Sequence, residues 1–138
     1  MKYVLDASVA LKWVLPEADA AKSLSLRDDY LNGIHSLLAP DTFAVEVAHG
    51  LTRAERRGII AVSDAVPRLQ NVLATVVDLH PFLPLLSRAV ALSSLHRIGV
   101  YDCLYIALAE REQCKLVTAD QRLMSLAHPQ IVLLGNLP

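Results

Sequence analysis

Cysteine, glycine and excess positive charge are all scarce in this chain, and each shortage removes a class of protein. The two cysteines, Cys103 and Cys114, are too few for a disulfide framework and lack metal-ligand spacing. Placed on one helix, they read as small buried hydrophobes of a reducing compartment. Lysine and arginine number 13 against 14 aspartates and glutamates, a net charge of −1. Any nucleic-acid role therefore has to come from a local arrangement, because the bulk attraction of a basic surface is missing. No apolar run approaches the roughly 18 residues of a membrane helix. The stretch Met1 to Leu15 carries Asp6 and Lys12 and no cleavage-site pattern follows it. It reads as mature structure of a cytoplasmic protein rather than a leader.

What is present is a chain of 138 residues, 54% hydrophobic and 20% charged. That length and balance fit one globular domain over residues 1–138 with a single core. With only five glycines, and with leucine, alanine and valine dominant, a helix-rich fold with a few buried strands is favoured. Strand signals fall at Lys2–Leu5 (KYVL), Ser36–Ala39 (SLLA), Val76–Leu79, Lys115–Thr118 (KLVT) and Ile131–Leu134 (IVLL). Helical patterns lie between them: Glu17–Leu31, a helix capped by Asp41 or Thr42 and stopped by Gly58, and one opened by Ser63. Others cover Pro84–Arg97, Tyr101–Gln113 and a few residues after Asp120. Strands separated by helices, with no hairpin turns, imply parallel crossovers. The expected fold is a three-layer α/β arrangement, a central parallel sheet of about four to five strands flanked by helices.

Ligands of such sheets bind at the carboxyl ends of the strands, and the acids sort by that rule. Asp6 follows KYVL directly, and Asp120 stands two residues after KLVT. Asp102 opens a helix, and Glu46 lies in the helix after SLLA. Singly, each has an ordinary role as a helix cap, a macrodipole partner or a solvated residue. In the Glu46 helix, Phe43, Val47, Leu51 and Ala54 make one apolar stripe; Glu46, Gly50, Arg53 and Arg57 make the neighbouring one. Glu46 is thus expected on a cleft wall, with Arg53 and Arg57 along it either as phosphate contacts or as part of a solvated face. Four carboxylates in one hollow repel each other unless a cation joins them. With no cysteine or paired histidine beside them, the oxygen donors point to Mg²⁺, or Mn²⁺, rather than zinc.

Four segments, YVLDASVALKWVLPE, LLAPDTFAVEVAHGLTRA, YDCLYIALAE and LVTADQRL, occur in this order across nearly the whole chain. Together they resemble the PIN-domain nucleases, most closely the VapC toxins of toxin–antitoxin pairs. The resemblance implies a Mg²⁺- or Mn²⁺-dependent endoribonuclease with Asp6, Glu46, Asp102 and Asp120 as its metal-binding acids, supported by the polar Ser8 and Thr118. It also implies a homodimer and a VapB-type antitoxin that blocks the cleft, with Trp13 and Pro16 as candidates for a partner groove. The five histidines are assigned no catalysis. The near-neutral charge favours a structured RNA target, such as a transfer or ribosomal RNA loop.

Other readings meet specific obstacles. A receiver-type signalling domain needs adjacent acids after the first strand, where this chain has Ala7 and Ser8. An aspartate-nucleophile phosphatase needs an acid in place of Ser8. A PIN endonuclease of RNA processing without an antitoxin, and a non-catalytic binding module on the same fold, remain as alternatives.

Overall fold

Five parallel strands in the order β3-β2-β1-β4-β5 form the sheet of the computed structural model, which describes residues 1–138. They are β1 (Lys2–Leu5), β2 (Ser36–Pro40), β3 (Asp78–His80), β4 (Lys115–Thr118) and β5 (Ile131–Leu133). The register runs Tyr3 beside Leu37 and Lys115, Leu38 beside Asp78, and Leu116 beside Ile131. Both faces of the central strands are covered, so β1, β2 and β4 read as unbroken apolar runs. Val4, Leu5, Leu37, Leu116 and Val117 are fully buried.

Seven helices join the strands: α1 (Ala7–Leu11), α2 (Ala20–Leu31), α3 (Phe43–Arg56), α4 (Ala65–Leu73), α5 (Leu86–His96), α6 (Val100–Glu112) and α7 (Gln121–Met124). Helix α6 has no polar side through its middle. Every residue from Cys103 to Ala109 is buried, against β1, β2 and β4 and against α5. That is the pattern of a helix enclosed on all sides. Arg88 near the start of α5 forms a forked pair with Glu110 near the end of α6, so the two run antiparallel. Helix α3 packs between α1 and α4. Its stripe Phe43, Val47, Leu51 and Ala54 is buried as its periodicity requires. Gly50 allows α1 to come close, since a Cβ there would lie 2.6 Å from Leu11 Cδ1.

The structure corrects several sequence expectations. Strand β3 begins at Asp78 rather than Val76, because Val76 adopts a left-handed backbone with φ of 53°, which no strand accommodates. The Tyr30 hydroxyl donates to the Val76 carbonyl at 2.6 Å and holds the turn. Neither Asp41 nor Thr42 caps α3 through its side chain. Thr42 already has helical backbone angles, and Asp41 accepts the Phe82 N–H instead. A 3₁₀ turn at Leu83–Leu85 precedes α5. Cys114 lies beyond the end of α6, after Gln113 turns left-handed. Trp13 is mostly core: it is buried, its Nε1 donates to the Ser23 carbonyl at 2.9 Å, Arg27 sits over its ring, and its remaining edge lines a surface hollow with Val14, Pro67 and Arg68.

Val76 is exposed and β-branched, so its left-handed backbone is a local cost of about 1 kcal/mol. Val76→Asn keeps the carbonyl that Tyr30 needs and tolerates that conformation. It is expected to raise the melting temperature by a few degrees in a calorimetric scan.

Candidate active site

The chain leaves β1 for β2 on one side and returns from β3 to β4 on the other. The strand order therefore reverses between β1 and β4, which opens a crevice at their carboxyl ends. A cleft of about 550 Å³ lies at this edge, and Asp6, Glu46, Asp102 and Asp120 all line it. The switch point brings Asp6 and Asp120 there, while α3 and α6 each present an acid from their first turn.

Asp6 is the anchor. It is buried, and its backbone N–H donates to the Val117 carbonyl, stitching β1 to β4. Ser8 Oγ and Thr118 Oγ1 each donate to Asp6 Oδ2 at 2.7 Å. Their direction is fixed, because the Ser8 hydroxyl accepts from Ala119 N–H and the Thr118 hydroxyl from Asp120 N–H. Each hydroxyl's proton is thus committed to the carboxylate. Even so, burial raises the Asp6 pKa above the usual carboxylate value, and the neighbouring Asp120 adds to the rise.

Glu46 and Asp102 are strained in the same sense. Burial lifts Glu46 to about 7, aided by the charges of Asp6 and Asp102 and opposed by hydrogen bonds from Tyr105 and Thr42. Burial lifts Asp102 to about 6, with Asp6 and Asp120 adding to it and Arg122 opposing. The Tyr105 hydroxyl, at the centre of α6, donates to Glu46 Oε2 at 2.6 Å, and Thr42 donates to the same oxygen at 3.3 Å. Asp120 differs. Burial raises it, but the Arg122 side chain and N–H outweigh that, and its pKa is lowered. It caps α7 through the Arg122 N–H at 2.8 Å, so its ordinary role as a cap holds as well. The Arg122 guanidinium pairs with Asp120 at 2.8 Å and lies 3.8 Å from Asp102.

Although the four acids share a hollow, no three acidic, histidine or cysteine side chains are close enough to make a ready-made metal-ligand set. Mutual repulsion favours that separation, and Arg122 is the one cation in ion-pair contact with the acids. The donors themselves, carboxylates with hydroxyls behind them, are all oxygen and suit a hard divalent ion. Burial first, and one another's charges second, raise the pKa values of Asp6, Glu46 and Asp102, and a bound cation would offset both.

Arg53 lines the cleft, one face with Glu46 and Gly50. Arg57 is the exposed residue closing α3 and stands outside it. Three side chains escaped the sequence reading. Arg122 sits inside the LVTADQRL segment, two residues after the N-cap Asp120, where an arginine in the first turn of α7 can fold back onto the cap. Tyr105 falls three residues after Asp102, on the same side of α6. His49 falls three after Glu46 and lines the cleft with Tyr101.

A doubly wound parallel sheet with an acid-lined cleft at its switch point defines an α/β protein of the acidic-site class. The chain belongs to the VapC group of the PIN-domain family, whose domain model matches residues 3–129. It is 33% identical over 128 residues to Ribonuclease VapC3 of Pyrobaculum aerophilum, covering 89% of this chain and 92% of that protein. Ribonuclease VapC12 of Mycobacterium tuberculosis is 35% identical over 121 residues, covering 87% of this chain and 88% of its own length. Among solved structures, a Pyrobaculum aerophilum protein superposes with a TM-score of 0.71 at 21% identity, covering 98% of this chain and 93% of that one. The VapBC2 complex of Rickettsia felis, bound to a promoter DNA fragment, superposes with a TM-score of 0.67 at 16% identity, covering 96% and 97%. These two likenesses concern the fold. No helix of the chain is long and apolar enough to cross a membrane.

Proposed function

We propose that residues 1–138 act as a divalent-metal-dependent endoribonuclease, the toxin of a toxin–antitoxin pair, with Asp6, Glu46, Asp102 and Asp120 holding Mg²⁺ or Mn²⁺. One observation carries this reading. Four acids far apart in sequence line one cleft, and burial and mutual repulsion hold three of them above their ordinary pKa values. A cluster kept only for stability would be disfavoured by that repulsion; a cluster built for a cation is relieved by it. When bound, such an ion supplies an activated water and charge stabilisation for the departing oxygen.

The chain's own groups have separable tasks. Ser8 and Thr118 hold the Asp6 carboxylate in one orientation. Tyr105 holds Glu46 and favours its charged form. Arg53, with His49 one turn nearer the acids, offers contacts for the RNA backbone. The names of the relatives support a ribonuclease, and the Rickettsia felis complex supports a VapB-type antitoxin as partner. A homodimer and a structured RNA target, a transfer or ribosomal RNA loop, complete the proposal.

Tyr105→Phe removes the bond that lowers the Glu46 pKa, so that pKa should climb above 7. The fold should survive, since the ring remains in its buried seat. Cleavage is expected to fall several-fold at pH 7 and to recover by pH 8.5, which a pH–rate profile beside the parent protein reads directly.

The test of the function is to map cleavage sites on total cellular RNA after brief induction, beside an Asp6→Asn control. Discrete cuts in a folded RNA, absent from the control, are expected. Broad degradation of unstructured RNA contradicts the target class, and cuts shared with the control contradict the mechanism.

A further inference from the structure

Of the seven aromatic side chains, six are tucked into the protein. Tyr3, Trp13, Phe43 and Tyr105 are buried. Tyr30 and Phe82 are half-buried against the core, and Tyr30 is tied down through its hydroxyl. Tyr101 alone is exposed, at 63%. Its ring neighbours Asp102 in sequence and lines the same cleft as the four acids. No hydrogen bond within the chain holds its hydroxyl, and no packing against the core fixes it.

The cleft walls around it are not uniformly polar. Val45, 72% exposed on the first turn of α3, and Leu11 at the end of α1 line it together with Tyr101. A hydrated cation and a phosphate need no apolar wall. A nucleobase does, because its π-face is poorly served by water and stacks on aromatic side chains at a gain that does not depend on which base it is. His49 and Arg53 supply the polar side of the same cleft. The acids, an apolar ledge and a basic margin thus lie within one hollow.

We propose that Tyr101 is a substrate-binding residue on which an unpaired RNA base next to the cut phosphate stacks, with Val45 as part of the opposing wall. The inference rests on the ribonuclease reading and sharpens it. A base held in a duplex cannot reach the ring, so the nucleotide taken is one displayed in a loop or single strand.

The experiment uses full-length protein carrying Asp6→Asn, so that the probe survives, and a hexanucleotide RNA with 2-aminopurine at its centre. A matched hexamer carries an abasic ribose at that position. Stacking quenches 2-aminopurine, so the Asp6→Asn protein is expected to quench it on binding. Adding Tyr101→Ala should abolish the quenching and weaken binding about tenfold or more, whereas adding Tyr101→Phe should preserve both. On the abasic hexamer, Tyr101→Ala should bind as the tyrosine protein does. Because Tyr101 is exposed, its replacement should leave the melting temperature unchanged.

No quenching by the tyrosine-bearing protein overturns the inference. So does an equal loss of affinity for both hexamers, or no loss for either. Failure of the ribonuclease reading looks different: protein with all four acids intact would then cut no RNA in the presence of Mg²⁺ or Mn²⁺.

Discussion

Replacing Asp6 with Asn is expected to lower RNA cleavage on the order of a thousandfold while the protein stays folded. Removing a partner that merely orients a metal ligand costs about 10–100-fold, and loss of the ligand itself should exceed that. The side-chain oxygen of Asn can still accept from Ser8 and Thr118, both of which bond a single Asp6 oxygen. The network that ties β1 to β4 therefore persists. What changes is the second position of the carboxylate, where an amide replaces an anionic oxygen. Without metal the variant should melt no lower than the parent, because a buried carboxyl whose charged form is disfavoured is gone. Asp102→Asn should behave alike, with a smaller stability gain since it is less buried. Activity assays on protein freed of contaminating ribonuclease, paired with melting curves, separate the two effects. Full activity in both variants would remove Asp6 and Asp102 from the chemistry and contradict the proposed mechanism.

The second large effect concerns pH and cations. Glu46 and Asp102 carry folded-state values of about 7 and about 6 against ordinary values of 4.5 and 3.8. Between roughly pH 4 and 7 the folded chain therefore holds more protons at these sites than the unfolded chain does. By linkage their contribution to stability falls as pH rises through that window and is fully lost above it. Groups with lowered values, Asp120 and Glu110 among them, act in the opposite sense but only at lower pH, near and below their ordinary values. In chelator, the melting temperature should be a few degrees lower at pH 8 than at pH 5.5. Mg²⁺ or Mn²⁺ at a hundred times its dissociation constant should restore about 3 kcal/mol, roughly 10 °C in a chain of this size. The gain should be much smaller at pH 5.5, where protons occupy the same carboxylates. A melting temperature indifferent to pH and to divalent ions would mean that the cleft holds no cation.

Much of this was legible because it follows from short-range rules. KYVL, SLLA and KLVT are buried on both faces and announce themselves as apolar runs. Parallel pairing then places the acids after KYVL and KLVT at one edge. The stripe through Phe43, Val47 and Leu51 by itself places Glu46 at the border of the buried face, on the cleft wall. What the sequence hid depends on contacts between distant parts or on unusual backbone. The left-handed turn at Val76 displaces β3 by two residues against its own β-propensity. The burial of Trp13 depends on the Ser23 carbonyl and on Arg27, both on α2. Arg122 lies beside two acids only because α7 begins where β4 ends. Tyr101 stands out only once the other six aromatic side chains are known to be occupied.

Crystals grown or soaked in Mn²⁺ and measured at the manganese absorption edge test the central claim most directly. An anomalous peak in the cleft, with oxygens of Asp6 and Asp102 within about 2.3 Å of it and Arg122 drawn away from Asp120, is the result expected. A cleft without such a peak at saturating Mn²⁺, with Arg122 still paired to Asp120, would contradict it.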